Sequence, residues 1–332
     1  MTQAARLPDP WPIRFADVLE AERRIRPYLP PTPLRTYDAL DAALGAGIRC
    51  FVKHENSEPI NTFKVRNGLA LVTALSDAER RRGIVAATRG NHGLGLAYAG
   101  SLLSCPVTVC VPVGNNPEKN AAMAALGARV IVEGKDYDES VQVAARLVRD
   151  EGLVLAHSTN DARVIAGAGT LTLEILREQP GLQALVIAVG GGSQAVGALV
   201  AAREMAPALP VFGVQAAGAA AIHDSWHAGR PLSRDSAVTI ADGLATRNAY
   251  EMTFPALKAG LADFVTVTDG EIAEAIRLLR RTAHTRVEGA GAAGLAGLVK
   301  LRNRLAGQRV GIVLSGGNID TETLRRVMSG EI

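Results

Sequence analysis

Short apolar runs alternate with amphipathic stretches along most of the chain. Ile84-Val85-Ala86-Ala87 reads as a strand, followed by a glycine loop and a helical stretch from Leu94 to Leu103. Val107–Val111 precedes a helix predicted over Pro117–Leu126, with proline at its start, where a missing N–H costs nothing. Val130–Val132 precedes Tyr137–Val148, whose apolar positions recur near helical spacing, and Leu153–Leu155 follows. Ala184–Val189 is continuously apolar, as expected of a strand buried on both faces. It leads through three glycines into a helix predicted over Ala195–Met205. Val211–Val214, Phe264–Val267 and Gln308–Leu314 read as further strands, and Asp269 is expected to cap the helix after the second of them.

This rhythm predicts an α/β fold with parallel-rich sheets covered by helices. Ligands of such folds bind where loops leave the carboxyl ends of strands. Residues 76–158 hold about three βα units and are expected to form a small lobe. Residues 1–75 and 159–332 would form a larger one, and no linker or repeat interrupts the pattern.

Composition narrows the function classes. The 332 residues are 48% apolar, enough for a large core. Lys and Arg number 36 against 33 Asp and Glu, a net charge of +3 without long runs of one sign, so no nucleic-acid or membrane-surface partner is expected. Cys50, Cys105 and Cys110 lie in apolar runs without a CxxC, which suggests buried reduced thiols and a cytoplasmic location. Met1–Pro10 lacks the apolar core of a secretion signal.

The candidate chemistry lies in four segments. Gly190-Gly191-Gly192-Ser193-Gln194 joins a buried strand to a helix, where backbone N–H groups and the helix N-terminus suit a phosphate. It also fits G-x-G-x-x-A, but the next strand ends in Val214-Gln215, without the acid that a dinucleotide ribose needs. Thr88-Arg89-Gly90-Asn91-His92-Gly93 mixes hydroxyl, guanidinium, amide and imidazole on a loop that could hold a carboxylate. Leu314–Asn318 is a third glycine loop. Lys64 lies in Asn61–Gly68, read as the first turn of a helix capped near Asn61; burial and the nearby Arg66 would favour its neutral, nucleophilic form. His223 and His227 could share a helix face, but no third ligand accompanies them, so an exposed face is expected and no metal.

Together these segments resemble the serine/threonine dehydratase group of pyridoxal-phosphate enzymes, of the tryptophan-synthase-β fold type, over nearly the whole chain. The lysine segment is similar to the family's S-F-K-x-R-G, the Asn91 loop to S-x-G-N-H, and Ser315–Asn318 to S-G-G-N. Ile240–Ala245 and Val287–Ala292 look familiar as well. The resemblance implies the two-lobed fold, pyridoxal 5'-phosphate as cofactor, an amino-acid substrate and a homodimer. Lys64 would hold the cofactor as a Schiff base and take the Cα proton. Phe63 would lie beside the ring, Asn91 would bond its oxygen, and Ser315 would face its nitrogen. Gly190, Gly191, Gly192, Ser193 and Gln194 would hold the phosphate. Thr88, Asn91 and His92 would hold the substrate carboxylate. The implied reaction is dehydration of a β-hydroxy-α-amino acid to a 2-oxo acid and ammonia, with the cofactor phosphate protonating the leaving hydroxyl.

Two departures stand out. Arg89 replaces a small residue, often serine, that serves racemases as an acid or base; an arginine cannot easily do so. Arg89 therefore belongs to the candidate catalytic and substrate residues as a group that binds a second carboxylate, gates the pocket or contacts the phosphate. Substrates from threonine and serine to phenylserine and hydroxyaspartate stay open. Second, Gln215–Ala221 offers no carboxylate where some members bind a divalent cation. Amino-acid racemisation, β-replacement and, remotely, a nucleotide-binding oxidoreductase are the alternatives.

Overall fold

The computed structural model describes residues 10–332, so all but the last residue of the Met1–Pro10 stretch lies outside it. The described residues form ten strands: β1 Leu34–Arg35, β2 Arg49–His54, β3 Ile84–Ala87, β4 Val107–Val111, β5 Arg129–Val132, β6 Val154–Leu155, β7 Ala184–Ala188, β8 Val211–Ala216, β9 Asp263–Val267 and β10 Arg309–Leu314. They form a six-stranded sheet in the order β1-β2-β10-β7-β8-β9 and a four-stranded sheet in the order β5-β4-β3-β6. Every pair is parallel except β1 with β2. Strands β3, β4 and β7 are buried at every position, which is why β3 and β7 read as unbroken apolar runs and β4 is broken only at Thr108.

The strands of the smaller sheet all lie between residues 84 and 155. One continuous apolar core joins the two sheets, running from Ile84 and Val109 through Leu171 to Leu185 and Ile187. At its centre the helix Ala162–Glu178 crosses the helices Lys64–Thr73 and Ser193–Met205 at glycines. A Cβ on Gly197 would lie 2.5 Å from Gly169 N, and one on Gly167 would lie 2.7 Å from Arg66 O. Among the described residues no helix is long and apolar enough to cross a membrane.

The structure departs from the sequence pattern locally. Strand β2 is not anticipated, because Lys53 and His54 interrupt its apolar run although both are buried. The helix expected from Leu94 begins at Asn91. The helix Asp269–Thr282 is capped by Thr268, whose side chain accepts from Glu271 N in a capping box. Asp269 instead accepts from Thr239 Oγ1 and Ile240 N, tying down the loop before Asp242.

Candidate active site

Loops that follow β2, β3, β7 and β10 converge at the carboxyl ends of their strands. The first and last are laced together. Asn61 adopts a left-handed φ of 54°. Phe63 N donates to Ser315 O at 3.0 Å, and Gly317 N donates to Asn61 O at 2.8 Å. This fixes Phe63, Lys64 and Ser315 beside one another. The helix starts at Lys64 with Phe63 before it, two residues later than a cap at Asn61 would give. It meets the helix Asn91–Leu102 at two glycines. A Cβ on Gly68 would lie 2.0 Å from Gly95 O, and one on Gly95 would lie 2.2 Å from Lys64 O. The first turns of the Lys64 and Asn91 helices are thus held at backbone contact.

Beneath this turn lies a buried charge network. Arg66 binds Glu55 through Nε at 2.8 Å and Nη2 at 3.0 Å. It also binds Glu174 through Nη1 and Nη2, each at 2.8 Å. Lys53 Nζ adds a second cation to Glu174 at 2.7 Å. These partners overturn one expectation: Arg66 is saturated by carboxylates and does not act on Lys64. The Lys64 ammonium is enclosed by protein, and burial alone lowers its pKa to about 8. Among the described residues no carboxylate pairs with it, and its Nζ lies 4.9 Å from the Phe63 ring centre.

The Asn91 loop is equally constrained. Thr88 Oγ1 accepts from Gly90 N at 3.0 Å and Gly93 N at 3.2 Å, which leaves its proton free to donate. Asn91 Nδ2 donates to Glu288 Oε1 at 2.6 Å, and Asn91 Oδ1 accepts from Asn318 Nδ2 at 2.8 Å. His92 Nε2 donates to Ala156 O at 2.9 Å. Burial, with the Lys64 charge adding to it, pushes His92 down to about 3, so its ring stays neutral. Its Nδ1 has no partner. What His92 offers a carboxylate is its backbone N–H, one of those that open the helix without an internal acceptor.

The triple-glycine loop is wedged in place. A Cβ on Gly190 would lie 2.2 Å from Gly243 O, and one on Gly191 would lie 2.0 Å from Thr159 Oγ1. Gly192 has a φ of 102°. Ser193 opens the following helix, and the buried Gln194 Nε2 has no partner.

Two cavities meet at Lys64, and both are also lined by Asn91, Gly191 and Gly243. The inner one is lined by Phe63, Lys64, Gly190–Gln194, Glu288 and Ser315. Its free N–H groups, orphan Gln194 amide and unpaired lysine suit a group with an aldehyde and a phosphate, as pyridoxal phosphate has. The outer one is lined by Thr88, Arg89, His92, Lys119, Tyr137, Ser158, Asp242 and Tyr250. All twelve candidate residues therefore line one or both cavities, with Lys64 and Asn91 at the junction.

Glu288 carries no assigned role in the sequence reading. It is buried, which raises its pKa, and its carboxylate lies against Asn91 and Gly316. A single acid among the small residues of Val287–Ala292 is the signal that could have found it. Lys119, Tyr137, Ser158 and Tyr250 carry no motif; only the fold brings them here. His223 and His227 line neither cavity. His223 packs edge-on against Phe264 at 5.5 Å and is half-buried, whereas His227 is exposed as expected.

Comparison with known proteins gives a consistent result. The family described as "Pyridoxal-phosphate dependent enzyme" matches residues 25–316. The chain is 36% identical to an L-threonine ammonia-lyase of Thermotoga maritima over 317 residues, covering 96% of this chain and 78% of the relative. It is 33% identical to an L-threo-3-hydroxyaspartate ammonia-lyase of Saccharomyces cerevisiae, covering 96% and 97%. The fold superposes on a maize serine racemase with a TM-score of 0.90 at 28% identity, covering 97% of this chain and 98% of that one.

Proposed function

This chain belongs to the pyridoxal-phosphate dependent enzyme family, and from that premise we propose how its residues divide the work of a lyase. The enzyme is a pyridoxal-phosphate dependent lyase acting on β-hydroxy-α-amino acids. When bound, the cofactor supplies the electron sink that makes the substrate Cα–H acidic.

The division of labour follows the two cavities. Gly190–Ser193 N–H groups and the Gln194 amide hold the phosphate in the inner cavity. With the cofactor bound, Phe63 would lie beside its ring, Asn91 Nδ2 would bond the ring oxygen and the Ser315 hydroxyl would serve the ring nitrogen. Thr88 and the N–H groups of Asn91 and His92 hold the substrate α-carboxylate in the outer cavity. Lys64 tethers the cofactor and then moves the Cα proton. The observation that carries this reading is the isolated lysine, unpaired and lowered to about 8 by burial, at the junction of the two cavities. We further propose that the chain works as a homodimer, the common state in its family, to be checked by light scattering.

The test has two arms. Borohydride treatment of the cofactor-loaded enzyme, followed by peptide mapping, should place the adduct on Lys64; another lysine would refute the assignment. Serine, threonine, phenylserine and 3-hydroxyaspartate should then be screened for 2-oxo acid release. Cα proton exchange without ammonia release would instead favour racemisation or β-replacement.

A further inference from the structure

Apart from Lys64 at its inner end, the outer cavity carries one cation without a counter-charge. Arg89 is exposed on its wall and, among the described residues, makes no hydrogen bond or ion pair. The other charges there cancel: Lys119 Nζ lies 2.8 Å from Asp242 Oδ2. Tyr137, Ser158 and Tyr250 line the same cavity. Tyr137 bonds Ser158 and lies within electrostatic reach of Arg89.

The α-carboxylate has a seat of its own, formed by Thr88 and the first N–H groups of the Asn91 helix. A guanidinium one residue along the same loop is then available to the part of the substrate beyond Cβ. A methyl or phenyl group in that position would desolvate the guanidinium without pairing it, which is unfavourable. A carboxylate would accept two N–H bonds from the planar fork, and the hydroxyls of the same cavity would complete its shell.

We propose that Arg89 is the specificity residue of this site and that it selects β-hydroxy-α-amino dicarboxylic acids by pairing with their distal carboxylate. The proposal rests on the dehydratase reading above and names the substrate class within it. The chemistry balances without an oxidant or reductant. The Cα–H and Cβ–O bonds break, the hydroxyl leaves as water, and one water returns in hydrolysis. The products are a 2-oxo dicarboxylic acid and ammonia. Arg89 holds charge and moves no proton.

The test uses the cofactor-loaded enzyme with aspartate and 2-aminobutyrate, which lack a β-hydroxyl and cannot be dehydrated. Binding is followed through the visible band of the cofactor. Arg89→Gln should weaken aspartate about 30-fold, the worth of a charge-assisted pair, and leave 2-aminobutyrate within about threefold. Arg89→Lys should restore part of the loss, because it keeps charge and gives up the fork. In turnover, wild type should favour 3-hydroxyaspartate over threonine and phenylserine in kcat/KM, and Arg89→Gln should remove that preference through KM. An equal loss for both probes would assign Arg89 to the α-carboxylate or the phosphate and overturn the proposal. So would a wild-type enzyme that prefers threonine or phenylserine. If no β-hydroxy amino acid yields a 2-oxo acid, the dehydratase reading fails. The aspartate-to-aminobutyrate ratio would still decide the role of Arg89.

Discussion

Arg66 and Arg89 serve regions on either side of one reactive residue, and their surroundings differ in almost every physical respect. Arg66 follows Lys64 by two positions, is 1% exposed and is bound by Glu55 and Glu174 at four points. Arg89 stands on a cavity wall, exposed and without a partner among the described residues. A buried guanidinium must be paired, because desolvating an isolated charge costs far more than a fold can spare. Its partners come from the turn after β2 and the helix Ala162–Glu178, so pairing also fixes the turn that bears Lys64. An exposed guanidinium costs almost nothing to leave unpaired and contributes almost nothing to stability. The same side chain is therefore structural in one region and free for a ligand in the other.

The largest expected effect tests the buried side. Arg66→Ala would strand Glu55 and Glu174 with Lys53 as their only cation. Stability should fall by about 3–5 kcal/mol, measured by urea denaturation. A loss below about 1 kcal/mol would mean that the network relaxes or admits water, and the contrast with Arg89 would collapse.

Glu58 sharpens the same region through pH. Burial raises its carboxyl from 4.5 to about 8, with Glu55 adding to the rise and Arg66 opposing it. Between those values the folded protein keeps a proton that the unfolded chain has released, so stability falls as pH rises. The contribution is complete below pH 4.5 and is lost as pH climbs through about 8. Glu58→Gln, which cannot ionise, should flatten the urea midpoint between about pH 5 and 8. An unchanged slope would show that Arg66, 3.7 Å away, keeps Glu58 ionised.

Lys64 links the two regions. With its pKa lowered to about 8, the neutral amine grows about tenfold per pH unit below that value and then levels off. Capture of added pyridoxal phosphate by stripped enzyme should follow that curve. A curve still rising above pH 9 would show that burial does not tune this lysine.

How much of this was legible in the sequence follows the same division. Strand β3 and the strand before Gly190 were readable because parallel strands buried on both faces are continuously apolar. The cofactor side was readable because each of its loops carries glycine or a distinctive polar residue beside a strand. Strand β2 was hidden by Lys53 and His54, whose burial depends on partners far away in the chain, Glu174 and Tyr37 among them. The helix Ala162–Glu178, nearly all buried, shows little polar face to reveal its period. Glu288 reaches the inner cavity, and Tyr137, Ser158 and Tyr250 the outer one, from separate elements and by no local rule. Arg66 was legible as a residue and not as a role, because the partners that saturate it are 11 and 108 positions away.

The smallest expected effect is the one on which the contrast depends most. Arg89→Gln should change the urea midpoint by no more than the equivalent of about 0.5 kcal/mol, as for a surface substitution that breaks no contact. Stability and ligand selection then separate cleanly: Arg66→Ala acts on the first, and Arg89→Gln acts on the second. A loss of several kcal/mol in Arg89→Gln would mean that the guanidinium is bound within the protein in solution, as by competing with Lys119 for Asp242 on the same cavity wall. It would then be unavailable to a distal carboxylate, and the outer cavity would have no charge left with which to choose among substrates.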